Sequence, residues 1–270
     1  MMSLQQEIIK RFNVQTQIDP VAEVRKRVDF LKQYVLNTGT KGLLIAISGG
    51  IDSAVATGLC KQATDELTAE TGKEYMTLGV FQPYGTQADI SDSYATAQAF
   101  NLKHTVETNI AKAVDEAAQE VEAALKQLPE ARSLSVPNRG NMKARTRMVV
   151  QYALAFDLNL LVVGTDHASE ALTGFYTKWG DGAVDITPLS SLNKRQVRQL
   201  AKHIGVPASV IDKAPTAGLW EGQTDEKELG ITYEHNSDYL EGKDIPDDVR
   251  EKIERQYQKT EHKRSPIPGI

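Results

Sequence analysis

Gly42-Leu43-Leu44-Ile45-Ala46-Ile47-Ser48-Gly49-Gly50-Ile51-Asp52-Ser53 is the stretch on which the reading of this chain turns. Residues 42–47 run without a polar break. The run is too short for a helix and reads as a strand buried on both faces, as in a parallel sheet. Ser48-Gly49-Gly50 interrupts it. From Asp52 to about Glu70, Val55, Leu59, Ala63 and Leu67 recur at helical spacing. Two glycines let the backbone approach an anion closely. A helix start aims free N–H groups and the positive end of its dipole at the same point. Ser48 and Ser53 add hydroxyls. The arrangement suits a phosphate or pyrophosphate, and it is no Walker loop, because no Gly-Lys-Ser/Thr follows. On the glycines alone, a plain strand-to-helix turn capped by Asp52 stays open.

The flanks repeat the pattern. Asp19-Pro20 is a helix-start signal, and Val21, Val24, Val28, Leu31 and Val35 follow at helical spacing up to Gly39. Downstream, strands are expected over 76–81, 104–107 and 160–163, and helices over 52–70, 88–100, 110–128 and 140–156. Strand and helix alternate, which predicts an α/β fold: an open, mostly parallel sheet with helices on both faces. Further helices are expected over 193–204, 231–240 and 247–260. Residues 206–230 are rich in Gly, Pro and Thr and read as a long mobile stretch. No repeat or composition break calls for a second domain in the 270 residues.

Composition narrows the function. Lys plus Arg number 31 against 36 Asp plus Glu, so the net charge of −5 argues against a nucleic-acid-coating protein. The longest apolar runs are a handful of residues, against the ~18 or more that a membrane span needs. Residues 1–19 have no continuous apolar core of the kind a secretory signal carries. The single cysteine, Cys60, excludes a disulfide framework and reads as a buried structural thiol. A cytoplasmic protein with no nucleic-acid or membrane partner is expected.

A second strand end adds acid. Leu160-Leu161-Val162-Val163 is followed by Gly164-Thr165-Asp166-His167-Ala168-Ser169-Glu170. In an open parallel sheet, ligands bind beyond the carboxyl ends of the strands. Asp52 and Glu170 both follow such an end, so they can face one cleft. Magnesium takes one or two carboxylates together with phosphate oxygens and waters, and this pair meets that need. His167 has no second His or Cys beside it and is not read as a ligand. In 140–156, Met142, Arg145, Val149, Tyr152 and Phe156 share a stripe at helical spacing. Arg145 on an apolar stripe must be paired or hold an anion, whereas Lys143 and Arg147 fall off the stripe and are expected to be solvated.

Ser48-Gly49-Gly50-Ile51-Asp52-Ser53 resembles the pyrophosphate loop of adenylating ATP pyrophosphatases. Longer strings narrow the likeness: 164–171, Thr173-Gly174-Phe175-Tyr176-Thr177-Lys178-Trp179-Gly180-Asp181-Gly182, Lys143-Ala144-Arg145-Thr146-Arg147-Met148, Asn193-Lys194-Arg195-Gln196, Pro215-Thr216-Ala217 and Thr260-Glu261-His262-Lys263-Arg264. Together they resemble ammonia-dependent NAD synthetase, in order and over nearly the whole chain. The resemblance implies a single domain, 1–270, of the Rossmann-like adenine nucleotide alpha hydrolase type. It implies a ligase that adenylates deamido-NAD with ATP and lets ammonia displace AMP, with Mg2+ on Asp52 and Glu170. ATP would be held by Ala46, Ile47, Ser48, Gly49, Gly50, Ile51, Asp52, Ser53, Thr165, Lys194, Thr216, His262 and Lys263. Deamido-NAD would be held by Arg145, Lys178, Asp185, His262 and Lys263. Asp52, Lys178 and Asp185 are the expected catalytic groups, Asp185 as the candidate for deprotonating ammonium, and the family is homodimeric. Loops at 82–87 and 212–229 are expected to be mobile lids that shield the adenylate from water.

Two positions depart from the family pattern. It carries arginine at 81 and glutamate at 90, where this chain has Phe81 and Ile90. Either one cation of the 82–87 loop is missing, or an opposite-charge pair has been lost as a unit. Two other readings remain at this point: a tRNA-modifying adenylating enzyme, which the acidic balance disfavours, and a non-catalytic ATP sensor, which has no need of Glu170, Lys178 and Asp185 together. A built-in glutaminase would need a nucleophilic cysteine and extra length. Free ammonia is therefore the expected nitrogen source.

Overall fold

A computed structural model describes residues 3–130, 132–213 and 225–270. In chain order the first half runs α1 (Leu4–Phe12), α2 (Pro20–Thr38), β1 (Gly42–Ala46), α3 (Ile51–Thr71), β2 (Met76–Phe81), α4 (Ile90–Ala99), β3 (His104–Glu107), α5 (Ala111–Leu125), α6 (Val136–Leu158) and β4 (Leu161–Val163). There follow α7 (Ala168–Thr173), α8 (Lys194–Ile204), α9 (Ala208–Ile211), α10 (Asp225–Leu229), α11 (Tyr233–Leu240), α12 (Asp247–Lys259) and α13 (Glu261–Arg264).

The sheet has the order β3-β2-β1-β4, and every pairing is parallel, with Leu43 beside Leu161, Ala46 beside Val80 and Val80 beside Val106. A further parallel bridge, Val163 to Ile186, continues it past β4. Both faces are covered, as the unbroken apolar run in β1 requires. Leu43 and Ile45 point to one face and pack with Val28, Leu31, Leu59, Leu67, Val197 and Leu200 of α2, α3 and α8. Leu44 points to the other and meets Leu78, Val80, Val162 and Ala155 of α6. Cys60 is fully buried in the first cluster, and burial pushes its thiol far above the ordinary range, so it is an inert core residue as expected. A third cluster joins α1, α7, α11 and α12 through Ile8, Leu172, Tyr239, Leu240 and Ile253.

The local signals act where the sequence put them. The Asp19 side chain accepts from the Val21 amide, with Pro20 in the first turn, and α2 ends at Gly39 with φ +67°. Asn193 and Gln196 form a reciprocal cap on α8. The apolar stripe of α6 is split: Tyr152 packs against the second cluster, while Val149 is 60% and Phe156 87% exposed. The helix buries its small residues Gly140, Ala144 and Ala155 instead, because small side chains let its backbone lie close to the sheet. Among the described residues no helix is long and apolar enough to cross a membrane.

Candidate active site

The carboxyl end of β1 is built to leave donors unspent. Gly49 has φ +82°, and a Cβ there would press on Ser93 Oγ at 3.2 Å and the Asp89 carbonyl at 3.3 Å. Glycine alone fits. Ser48 Oγ and Ser53 Oγ lie 3.0 Å apart, the Gly50 N–H donates to Ser48 Oγ, and Ser53 Oγ donates to the Gly50 carbonyl at 2.9 Å. Gly50 caps α3 with no side chain, so the first amides of a 21-residue helix open toward the cleft. Ile51 and Ile47 bury their side chains in the core and offer only backbone here, and the partly buried Ala46 likewise has no polar side chain to offer.

Directly beyond this loop lies a cluster of opposite charges. Lys194, 2% exposed at the first turn of α8, places Nζ 2.7 and 2.9 Å from the two Asp52 oxygens. Its Nζ also lies 4.9 Å from the Tyr233 ring centroid. Burial by itself would raise the Asp52 carboxyl, but the Lys194 ammonium holds it below its ordinary value. Among the described residues no lysine or arginine forms an ion pair with Glu170. Burial first, and then the Asp52 charge, push its carboxyl well above the ordinary range.

His167 caps α7. Its Nδ1 accepts from the Glu170 amide at 3.4 Å, and Glu170 Oε2 accepts from the His167 amide. This assigns the proton of the neutral ring to Nε2, which faces Asp52 Oδ1 at 3.4 Å. Burial depresses the ring's pKa to about 3, so it stays neutral. Asp52, His167 and Glu170 bring ligand atoms within 4.8 Å of one another. A protonated Nε2 has no lone pair for a metal, so the oxygens of Asp52 and Glu170 are the usable donors. Two carboxylate oxygens suit a hard divalent cation that completes its shell with phosphate and water.

A second group of cations gathers where the 173–182 turn meets the C-terminus. Lys178 Nζ donates to the His262 carbonyl at 2.5 Å, and Arg145 donates to the Lys178 carbonyl at 3.3 Å. Lys263 Nζ donates to the Gly174 and Tyr176 carbonyls, each at 2.7 Å. Arg264 docks α13 on α7 by donating to the Ala171 carbonyl at 2.9 Å, and it lies 4.2 Å over the Tyr257 ring. Thr165 is partly buried on the loop after β4.

Asp185 stands apart from the Asp52 cluster in its bonding. Its two oxygens accept from Tyr152 Oη at 3.1 Å and from the Val162 amide at 2.8 Å. Asp166 was passed over in the sequence and lies nearer the chemistry. Burial, followed by the charges of Asp181 and Asp52, pushes its carboxyl well up. The only signal for it was its place in Gly164-Thr165-Asp166-His167.

Arg145 is exposed and is paired with the Lys178 carbonyl. Two readings of single residues are corrected. Arg147, expected in solvent, is partly buried and donates to the Gln82 carbonyl at 3.1 Å. Lys143 is also partly buried, with Nζ 3.9 Å over the Tyr84 ring. Phe81 and Ile90 both pack on one apolar cluster, and Phe81 sets its ring edge-to-face with Tyr94 at 4.9 Å. Apolar contact thus stands where the family pattern has two charges. Within the expected 212–229 lid, residues 225–229 form α10, whereas Thr216 and the rest of 214–224 lie outside the described residues. The 82–87 loop is tied at Gln87, which donates to the Ser48 carbonyl at 3.2 Å, and at Gly85, which exchanges bonds with Asn109.

Comparison with known proteins bears on the family and the fold. Residues 23–267 match the family model described as NAD synthase. A protein of Bacillus thuringiensis (strain Al Hakam) named NH(3)-dependent NAD(+) synthetase is 48% identical over 266 residues, covering 97% of this chain and 96% of its own. Among solved structures, the NAD+ synthetase from Burkholderia pseudomallei superposes with a TM-score of 0.82 at 35% identity, over 96% of this chain and 95% of that one. The NMN synthetase from Francisella tularensis superposes at 0.83 and 34% identity, over 94% and 99%.

Proposed function

The chain belongs to the NAD synthase family, and on that footing we propose how its residues make the amide of NAD from deamido-NAD, ATP and ammonia. The enzyme is a C–N ligase acting at the last step of NAD synthesis. The chemistry explains the need for ATP. A carboxylate is a poor acyl donor because its leaving group would be oxide. An oxygen of the nicotinate carboxylate attacks the α-phosphorus of ATP, the bond to the β-phosphate oxygen breaks, and pyrophosphate departs. Ammonia then attacks the acyl carbon, the carbonyl–AMP bond breaks, and one proton is shed.

The observation that carries this reading is the position of Asp52, Lys194 and Glu170 at the open mouth of the Ser48–Ser53 loop. The amides at the start of α3 and the Ser48 and Ser53 hydroxyls hold the phosphate tail that leaves. Charge builds on that tail as the bond breaks, and fixed dipoles and cations favour it. Lys194, poised on Asp52, supplies one of those cations. Asp52 and Glu170 hold Mg2+, which supplies positive charge to the phosphates when bound. Thr165, Thr216, His262 and Lys263 complete the ATP side, while Arg145, Lys178, Asp185, His262 and Lys263 hold the dinucleotide. Asp185, already satisfied by Tyr152 and the Val162 amide, orients substrate. Asp166 is a second candidate to take the proton from ammonium, because burial and the charges of Asp181 and Asp52 push its carboxyl up and strengthen it as a base.

The enzyme works as a homodimer in the cytoplasm. Its support is the outward part of the α6 stripe, where Val149 and Phe156 are 60% and 87% exposed. An apolar face of that extent on a regular helix fits a second copy. Arg145 lies on the same face, which puts the dinucleotide side near the interface. The 82–87 loop closes over the adenylate.

Incubation with deamido-NAD, ATP, Mg2+ and ammonium tests the reading, with nicotinate mononucleotide as a competing acid. NAD, AMP and pyrophosphate are expected in equal amounts. ADP with orthophosphate overturns the adenylation, and exclusive amidation of the mononucleotide overturns the substrate.

A further inference from the structure

Lys213 is a cation to which the mechanism gives no task, and it reaches the phosphate loop from the far half of the chain. Its Nζ donates to the Gly49 carbonyl at 3.4 Å. The same ammonium forms ion pairs with Asp89 and, at 3.1 Å, with Asp92 Oδ2. Asp89 stands at the N-cap of α4 and Asp92 in its first turn. That turn is pressed against the loop, since a Cβ on Gly49 would lie 3.3 Å from the Asp92 Cβ. Further bonds hold the two carboxylates in place. Gln87 Nε2 donates to Asp89 Oδ1 at 3.0 Å, and Ser209 Oγ, on α9, donates to Asp92 Oδ1 at 3.4 Å.

Two carboxylates beside a loop that takes a polyphosphate work against binding. A like charge costs what an opposite charge gains at the same distance. Lys213 offsets this in two ways. It neutralises part of the pair at the point nearest the loop. It also holds the Gly49 carbonyl, and because the peptide is planar that bond sets the Gly50 N–H, which donates to Ser48 Oγ at 3.3 Å. Burial disfavours both charges of the Lys213–Asp89 pair, and the bond between them outweighs it. The ammonium is held above its ordinary value and the carboxyl below. The strand end beside α4 offers less help than the family pattern does. Where that pattern has arginine, this chain sets Phe81 against the Tyr94 ring of α4.

We propose that Lys213 is a positioning residue of the phosphate loop: it screens Asp89 and Asp92 from the triphosphate and steadies the Gly49 peptide, so that its charge sets the affinity for ATP and not that for the dinucleotide. The proposal rests on the assignment of ATP to that loop. A lysine that only tied α9 to α4 would act on stability, and its loss would not be repaired by removing a carboxylate as well.

Equilibrium binding by calorimetry tests it, with α,β-methylene-ATP and deamido-NAD as separate probes and Mg2+ throughout. Lys213→Met is expected to weaken α,β-methylene-ATP by roughly three- to tenfold, the scale of one charge partly screened by solvent, and to leave deamido-NAD unchanged. Lys213→Arg keeps the charge and stays near wild type. Adding Asp92→Asn to Lys213→Met removes a carboxylate left unscreened and is expected to restore most of the affinity. Should Lys213→Met fold poorly, Asp92→Asn alone decides, since it is expected to bind α,β-methylene-ATP at least as tightly as wild type. Undiminished affinity in a folded Lys213→Met, no recovery in the double variant, or weaker binding in Asp92→Asn overturns the proposal. A wild-type protein that binds no α,β-methylene-ATP overturns the functional reading instead.

Discussion

Lys194 and Asp52, 142 residues apart in the chain, meet with both carboxylate oxygens within 2.9 Å of a single ammonium that is 2% exposed. The contact joins the first turn of α8 to the first turn of α3, and with it the phosphate loop to the second half of the molecule. Each partner makes the other's burial tolerable, because a lone buried charge costs several kcal/mol.

The two halves of that pair behave differently on substitution. Asp52→Asn leaves Lys194 facing a neutral amide, with Glu170 nearby, and the fold survives. Turnover of deamido-NAD is expected to fall by at least about a hundredfold, since a cation site and a phosphate-facing charge are both lost. Lys194→Met instead strands Asp52 beside Glu170 and Asp166, and a loss of about 3–5 kcal/mol in urea unfolding is expected. Wild-type-like turnover in Asp52→Asn rejects the metal assignment.

Magnesium binding is expected to show in stability as well as in rate. Without a cation, Glu170 carries its negative charge at a cost, as its raised pKa records. Mg2+ at a hundred times its dissociation constant stabilises the folded state by about 2.7 kcal/mol. Differential scanning calorimetry with increasing Mg2+ shows the rise in Tm. Glu170→Gln removes one of the two oxygen ligands and is expected to flatten it. An equal rise in that variant would place the ion elsewhere.

The acid side of the stability curve isolates His167. Its folded pKa is about 3 against an ordinary value of 6.5. The unfolded chain therefore binds a proton that the folded chain refuses. The contribution is fully present above pH 6.5 and is lost progressively between there and about 3. From pH 6.5 to 5 the loss comes to about 2 kcal/mol. Glu170 and Asp166 run the opposite way, because their raised pKa values favour the folded form as pH falls. The measurement is thus the difference between wild type and His167→Asn, by urea unfolding at each pH. Parallel curves would show that the ring titrates normally.

Much of the fold was legible because a strand buried on both faces leaves an unmistakable apolar run, as in Gly42–Ala46 and Leu161–Val163. The phosphate loop was legible because its glycines and hydroxyls lie together in the chain. The Lys194–Asp52 contact was not, since neither residue's spacing announces the other across 142 positions. Helix α7 was missed because six residues are too few for a helical period, yet it carries Glu170 and is capped by His167. The periodicity in α6 is real, but the stripe it reports meets the sheet only in part. Arg147 was off the stripe and lies partly buried against Gln82.

The outward part of that stripe yields the last expectation. Phe156 is 87% exposed near the end of α6, and Val149 two turns earlier is 60% exposed. Burying an aromatic ring of this size against a second copy contributes about 1.5–3 kcal/mol per subunit. A charge placed there costs more than the lost contact, because in a two-fold interface each substitution enters twice and like charges approach each other. Phe156→Asp is expected to move the protein from dimer to monomer in analytical ultracentrifugation, with little change in monomer stability, since the side chain touches none of the sheet core. Arg145 shares that face, so the KM for deamido-NAD is expected to rise with dissociation while the KM for ATP, set at the Ser48–Ser53 loop, changes less. A variant that stays dimeric sinks the assignment of this face. A monomer with unchanged KM for both substrates would keep the dimer and remove the interface from the dinucleotide site.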